Sequence, residues 1–303
     1  MRLGMALPQS NVAASRSAIL HIAREAEAIG LDSLWVLDRL LRPRTPVSAI
    51  AGQPGEVMSD FYTSILDPLE LLSFVAAATE RIHLGTSVIN ALYHQPVILA
   101  RRFATLDHLS GGRVIAGLSQ GWMPEEFQVG GTSPANRPAR FTEFVDTMRA
   151  VWAPDPVTFN GRWYTIPASD IGPKPTQTGG IPIVVGCFHP AATARAGRIA
   201  DGINPLATTL DQLHTDIRTM RDAASAADRE PDALQVILRV NATPAERMAP
   251  NGERGFFAGS IEQWMEDLHA VQELGVGHVF FALDDADDGG LRTMTTLREQ
   301  FPR

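Results

Sequence analysis

The chain has 303 residues, 45% of them hydrophobic and 20% charged, with a formal net charge of −8. That length buries a large core without disulfide or metal staples, and the negative balance argues against nucleic acid, whose phosphates need a basic face. A single cysteine, Cys187, excludes an internal disulfide and any cysteine-cluster metal site. No apolar run approaches the ~18 residues of a membrane span, and with a strand already over residues 3–7 no signal peptide is expected. The expectation is a cytoplasmic protein with a small-molecule substrate and no membrane or nucleic-acid partner.

Short apolar strands alternate with amphipathic segments along the whole chain. Residues 3–7 read as a strand. A helix follows with Ile19, Ile22, Ala23, Ala26 and Ile29 at helical spacing, and Gly30 closes it. A strand over 34–37 leads into a Pro-, Gly- and Ser-rich loop over 42–64. A short helix over 69–79 and a strand over 82–89 come next. Pro96 opens the next helix, Leu99, Phe103 and Leu106 mark its buried face, and Gly111-Gly112 stop it. A strand over 114–118 runs into an irregular stretch over 119–136. Phe141, Phe144, Val145, Met148, Val151 and Trp152 then give a clear helix cut by Pro154. Residues 157–178 are an excursion in which Phe159, Trp163 and Tyr164 suit a small hairpin or flap. The second half repeats the rhythm, with strands over 183–186, 202–205, 236–240 and 279–283. The helices between and after them carry Leu213, Ile217 and Met220, then Trp264, Leu268 and Val271, then Leu291, Met294 and Leu297.

About eight βα units emerge, the number a closed barrel needs. A doubly wound open sheet shares the alternation, but length and unit count favour an α/β (β/α)8 TIM barrel. We expect one domain over 1–303 with insertions at 42–64, 119–136 and 157–178.

Barrel active sites lie at the C-terminal strand ends. The positions to inspect are therefore Asp38-Arg39, 87–90, 119–122, 186–189, Asn204, Asn241 and the acid cluster at 284–288. Gly117-Leu118-Ser119-Gln120-Gly121 matches the nucleophile elbow of serine hydrolases. That motif must run straight into a helix, however, and Trp122-Met123-Pro124 follows; no late histidine stands after a strand. A Gly-rich strand end approached by a flat ligand is the preferred reading, with a hydrolase using Ser119 as the outlier. The histidines show no metal-ligand spacing, and there is no GxGxxG or Walker loop. Cys187 reads as a buried small hydrophobe, and the acid cluster as a solvated loop.

Several stretches together resemble the luciferase-like monooxygenase superfamily, especially its F420-dependent oxidoreductase branch. They are 30–39, 67–70, 79–88 with its Arg81-Ile82-His83-Leu84-Gly85-Thr86 core, 104–113 with Asp107 and Leu109-Ser110-Gly111-Gly112-Arg113, Pro173-Lys174-Pro175 and Ala200-Asp201-Gly202. The resemblance covers nearly the whole chain. It implies a barrel, often a homodimer, binding coenzyme F420, with FMN as the alternative cofactor. It implies that Asp38 approaches the ring's polar edge, although a helix-capping role would serve equally for that residue. Ser87-Val88 would hold a non-prolyl cis peptide behind the ring. Gln120 and Gly121 would touch the ring or its side chain. Gly186 and the backbone of Cys187, Phe188 and His189 would hold the phosphate at a helix N-terminus. The sugar-phosphate dehydrogenases of this branch carry a His and a Glu where this chain has Arg39 and Trp122. Arginine keeps its proton near neutral pH, so that chemistry is not expected. Arg39 is instead expected to hold an anion or oxyanion, and Trp122 to form an apolar substrate wall. The expected activity is hydride transfer between the deazaflavin and a small organic substrate; an FMN-dependent monooxygenase and a non-catalytic flavin-binding protein are the alternatives.

Overall fold

The computed structural model describes residues 1–48, 55–242, 244–245, 254–283 and 287–301. The first half runs β1 (Arg2–Ala6), α1 (Arg16–Ala28), β2 (Ser33–Val36), α2 (Pro68–Ala76), β3 (His83–Thr86), β4 (Ile89–Asn90), α3 (Pro96–Ser110), β5 (Val114–Ser119), α4 (Pro124–Val129) and α5 (Arg137–Trp152). The second runs β6 (Val157–Asn160), β7 (Thr165–Ser169), β8 (Ile183–Cys187), α6 (Pro190–Ile199), β9 (Gly202–Pro205), α7 (Leu210–Ser225), β10 (Gln235–Val240), α8 (Ile261–Glu273), β11 (His278–Phe281) and α9 (Asp288–Gln300).

Eight parallel strands close on themselves in the order β1-β2-β3-β5-β8-β9-β10-β11, with helices outside. The fold is the expected TIM barrel. The excursion after α5 forms the hairpin β6–β7. Two expectations need correction. The stretch over 119–136 contains α4, which Pro124 starts and whose first turn carries Glu125 and Glu126, both favourable at a helix N-terminus; six residues are too few to show a period. The strand expected over 82–89 is split into β3 and β4. In the long loop, residues 49–54 lie outside the described residues, and the remainder includes a bridge between Val47 and Glu56.

The residues that carry the family resemblance mostly hold the fold. Arg113 spends all five N–H donors on α2, α3 and the turn before β3: on Ser110 O, Thr79 Oγ1, Ile82 O, Ala76 O and Thr79 O. Asp107 accepts from the backbone of Thr176 and Gln177 and from the Gln177 side chain. Asp67 caps α2 through Leu69 N, and Gly111 ends α3 at φ 70°.

Period two governs the interior, as it must in a strand. Register aligns Ala6 with Trp35 and Trp35 with Gly85, and Arg239 with Phe280. Trp35, Ile115, Val184, Ile237 and Phe280 pack together as one interior layer, with Trp35 and Phe280 stacked at 4.5 Å. An indole this size needs empty neighbours: a Cβ on Gly85 would lie 2.4–2.7 Å from the Trp35 ring. Below this layer, the Trp35 Nε1–H donates to Ser33 Oγ at 2.7 Å. The Ser33 hydroxyl in turn lies 2.6 Å from His278 Nε2, within hydrogen-bond distance. Burial, followed by the charges of Arg2 and His83, pulls the His278 pKa down to about 3.

Two outcomes follow from this interior. Gly85→Ala overpacks the barrel against Trp35 and costs about 1–3 kcal/mol, to be read as a lowered midpoint in urea unfolding. His278 is neutral when folded and free to protonate when unfolded, so its contribution to stability is whole above the unfolded pKa of ~6.5 and is lost as pH falls toward about 3. In His278→Gln, the slope of unfolding free energy against pH between about pH 6 and 4 becomes shallower by up to ~1.4 kcal/mol per pH unit.

Candidate active site at the barrel mouth

The split between β3 and β4 builds the centre of the site. Gly85 pairs with Ile115, and pairing resumes at Ile89 with Leu118. One strand spends four residues where the other spends three, which is a bulge. Thr86 bridges the gap: its hydroxyl donates to Gly117 O at 2.8 Å and accepts from Gly117 N at 2.9 Å. The approach is so close that a Cβ on Gly117 would sit 1.7 Å from Thr86 O, so glycine is required there. The extra residue falls at Ser87-Val88, where the peptide bond is cis, at the position the sequence pointed to.

This peptide crosses the barrel mouth and is tied at both sides. Val88 packs over the glycines of β5 and β8; its methyls lie 3.1–3.3 Å from where Cβ atoms of Gly186 and Gly117 would stand. Ser87 Oγ donates to Asn204 Oδ1 at 2.6 Å, and Asn204 Nδ2 donates to Ile237 O at 2.7 Å, which fixes the amide's orientation. Arg239 Nη1 donates to Ser87 O at 2.8 Å, and its Nε to Asn241 Oδ1 at 2.8 Å.

A second group surrounds the ends of β2 and β5. Asp38 Oδ2 accepts from Asn90 N at 3.1 Å. No helix starts at Asp38, so the capping alternative is overturned: the carboxylate ties β2 to β4. The Arg39 guanidinium lies over the rings of Tyr62 and Trp122 at 5.3 and 5.5 Å. Its Nη1 is 3.1 Å from Glu126 Oε2, off the N–H direction, so the pair is held by charge rather than by an aligned hydrogen bond. Glu126 is fully buried on α4, and its Oε1 accepts from Leu40 N at 2.9 Å. Burial raises the Glu126 pKa, and Arg39 pulls it back. Tyr93, beside it, has its phenol pKa raised by burial and then by Glu126.

Ser119 donates to Asn90 Oδ1 at 2.7 Å; no histidine bonds to it among the described residues, and a nucleophile elbow is not formed. Gly121 takes φ 73°, with Tyr93 Oη 2.7 Å from where its Cβ would be, so it is a constrained turn. Gln120 Oε1, His94 Nε2 and Arg39 Nε are buried without a hydrogen-bond partner among the described residues, and such atoms ask for a ligand or water. Across the mouth, Gly186 and Cys187 end β8, and His189 precedes α6. Burial pushes the Cys187 thiol up to about 12, so it is inert. Phe188 is 69% exposed at the rim. In the acid cluster, 284–286 lie outside the described residues, while Asp287 caps α9 through Gly289 N and Gly290 N. No group of three His, Cys, Asp or Glu suited to a metal occurs among the described residues.

The sequence reading singled out Asp38, Arg39, Ser87, Val88, Gln120, Gly121, Trp122 and 186–189, and all lie at the C-terminal rim of the barrel. It missed Glu126, Tyr93 and Arg239. The signal for Arg239 was present: it stands two residues after Ile237, hence on the same inward face. Glu126 carried none, because only the chain's return over the barrel brings α4 beneath Arg39.

A protein-family model described as luciferase-like monooxygenase matches residues 1–250. An uncharacterized protein of Mycobacterium tuberculosis is 30% identical over 273 residues, covering 88% of each chain. An F420-dependent glucose-6-phosphate dehydrogenase of Nakamurella multipartita is 31% identical over 229 residues, 74% of this chain and 62% of the relative. Among solved structures, an F420-dependent secondary alcohol dehydrogenase in complex with an F420-acetone adduct superposes with a TM-score of 0.76 at 18% identity, covering 97% of both chains. The monooxygenase RslO1 from Streptomyces bottropensis gives 0.77 at 20% identity, covering 99% of this chain and 98% of that one. At those identities the structural likeness concerns the fold.

Removing Glu126 alone leaves the buried Arg39 charge uncompensated. Glu126→Ala is expected to destabilise the protein by about 3–5 kcal/mol in urea unfolding, and the double variant Arg39→Met/Glu126→Leu to recover much of that loss.

Proposed function

Because the chain belongs to the luciferase-like monooxygenase family, we propose that it is an F420-dependent oxidoreductase transferring a hydride between the deazaflavin and a small organic substrate. The observation that carries this reading is the Ser87-Val88 peptide. It is braced by Asn204 and Arg239 and floored by glycines, and Gln120 Oε1, just after β5, is buried without a partner among the described residues. A flat ring with polar edges suits such a platform, and similarity to F420-dependent glucose-6-phosphate dehydrogenases supports the choice of cofactor. The proposed unit is one domain over 1–303, working in the cytoplasm as a homodimer. Exposed Ile98 and Leu109 on α3 support pairing. No helix among the described residues is long and apolar enough to cross a membrane.

In this reading Ser87, Val88, Gln120 and Gly121 hold the ring, Asp38 meets its polar edge, and the α6 N-terminus from Gly186 to His189 takes the phosphate. The cofactor, when bound, supplies the hydride chemistry. The chain's own residues place the substrate and keep water away. Trp122 and Tyr62, stacked on Arg39, form a wall that excludes water. The charge of Arg39 is already met by Glu126, so in this reading it braces that wall rather than seizing an anion. Asp38, with Oδ2 engaged by Asn90 N, keeps its other oxygen available to exchange a proton with a substrate hydroxyl.

Fluorescence titration of the purified protein with F420 and with FMN tests the reading. We expect F420 to bind at least tenfold more tightly than FMN, a difference of about 1.4 kcal/mol. The reverse order would move the assignment to an FMN-dependent monooxygenase, and F420 binding without turnover on any alcohol or carbonyl substrate would leave a non-catalytic binder.

A further inference from the structure

Beside the Ser87-Val88 platform, between β1, β2, β10 and β11, lies a slot of about 110 Å³. The stacked Trp35 and Phe280 rings border it at the barrel's inner layer, and Leu7, Leu37, Phe61 and Leu283 supply apolar walls. A cavity of ~150 Å³ encloses a whole benzene ring, so the smaller slot encloses most of such a ring and leaves its far edge in the open barrel mouth.

Its polar side chains are few, and most are already committed. Gln9 accepts from Leu37 N and donates to Leu37 O and Leu66 O. Ser87 Oγ is given to Asn204. Arg239 is different. Of its five N–H donors, one goes to Asn241 Oδ1 and one to Ser87 O. Among the described residues the other three have no protein partner, and no carboxylate lies within ion-pair distance. Arg239 itself lines the slot, which puts the uncommitted end of the fork within reach of a ligand there. Both partners it has are neutral oxygens. Burial lowers its pKa, yet arginine does not give up its proton, and the cation stays uncompensated. The contrast with Arg39 is direct: that guanidinium has Glu126 and two rings, and this one has an opening.

We propose that Arg239 is a specificity-determining residue, and that the slot takes small, largely apolar substrates carrying one carboxylate. This deepens the hydride-transfer reading and rests on it. A planar guanidinium with free N–H groups matches a carboxylate's two oxygens. A single cation between mostly hydrocarbon walls suits a monoanion with an apolar body, and beside it the walls offer only the Ser10 hydroxyl as an uncommitted polar group, too few for a sugar.

The test uses benzoate and its neutral isostere benzamide, titrated against the F420-loaded protein and followed by quenching of tryptophan fluorescence, since Trp35 borders the slot. Wild type is expected to bind benzoate at least tenfold more tightly than benzamide. Arg239→Met should lose that preference while keeping its cooperative urea unfolding; Arg239→Lys should retain part of the preference. Equal binding of the two probes by wild type overturns the proposal, and this comparison needs no variant to fold. Loss of F420 binding in Arg239→Met, with the preference kept in Arg239→Lys at full wild-type strength, also overturns it, assigning the residue to the cofactor. Failure of wild type to bind F420 defeats the functional reading instead; benzoate preference in the unloaded protein would then still uphold the anion site.

Discussion

Trp35 sits at the centre of the barrel, and the site above it depends on that packing. An indole inside an eight-stranded barrel displaces the branched aliphatic side chains that usually fill such interiors. The neighbours answer by shrinking: a Cβ on Gly85 would meet the indole, and one on Gly4 would stand 2.1 Å from Ser33 Oγ. Phe280 stacks on the other side. The indole N–H still needs an acceptor in a dry interior, and Ser33 supplies it, with His278 behind. A polar thread thus descends from the aromatic layer, and an aromatic floor is presented upward.

Above that floor, the mouth is organised by one extra residue. The bulge at Ser87-Val88 turns a strand's ladder outward and lays a peptide across the opening. Thr86 repairs the ladder, Val88 settles over Gly117 and Gly186, and Asn204 and Arg239 take the Ser87 hydroxyl and carbonyl. Four barrel strands besides its own therefore hold this peptide. Sites on rigid strand ends can be positioned more closely than sites on loops, and the loops are left to wall and cover the opening.

The two arginines at the mouth illustrate how context assigns a role. Arg39 was the natural anion-holder by its place after a barrel strand, but the fold delivers Glu126 to it from α4 and stacks it between Tyr62 and Trp122. Arg239, next to the C-terminal end of β10, receives only two neutral acceptors. A buried cation's function is decided by what neutralises it, and that is a tertiary fact.

The amino-acid sequence by itself determined the barrel, the order of its units and the rim on which chemistry would stand. Those follow from local quantities: strand and helix periods, Gly and Pro stops, and strand ends that face one way. The cis peptide's position was legible because it lies in a motif shared with a family. The motif's Arg113 and Asp107, equally legible, turned out to hold helices and loops. What only the tertiary structure decided were the pairings between distant segments: Glu126 with Arg39, Asn204 with Ser87, Arg239 with the Ser87 carbonyl. These join residues 87 to 152 positions apart, and no local period encodes which charge a closed barrel will leave facing an open slot.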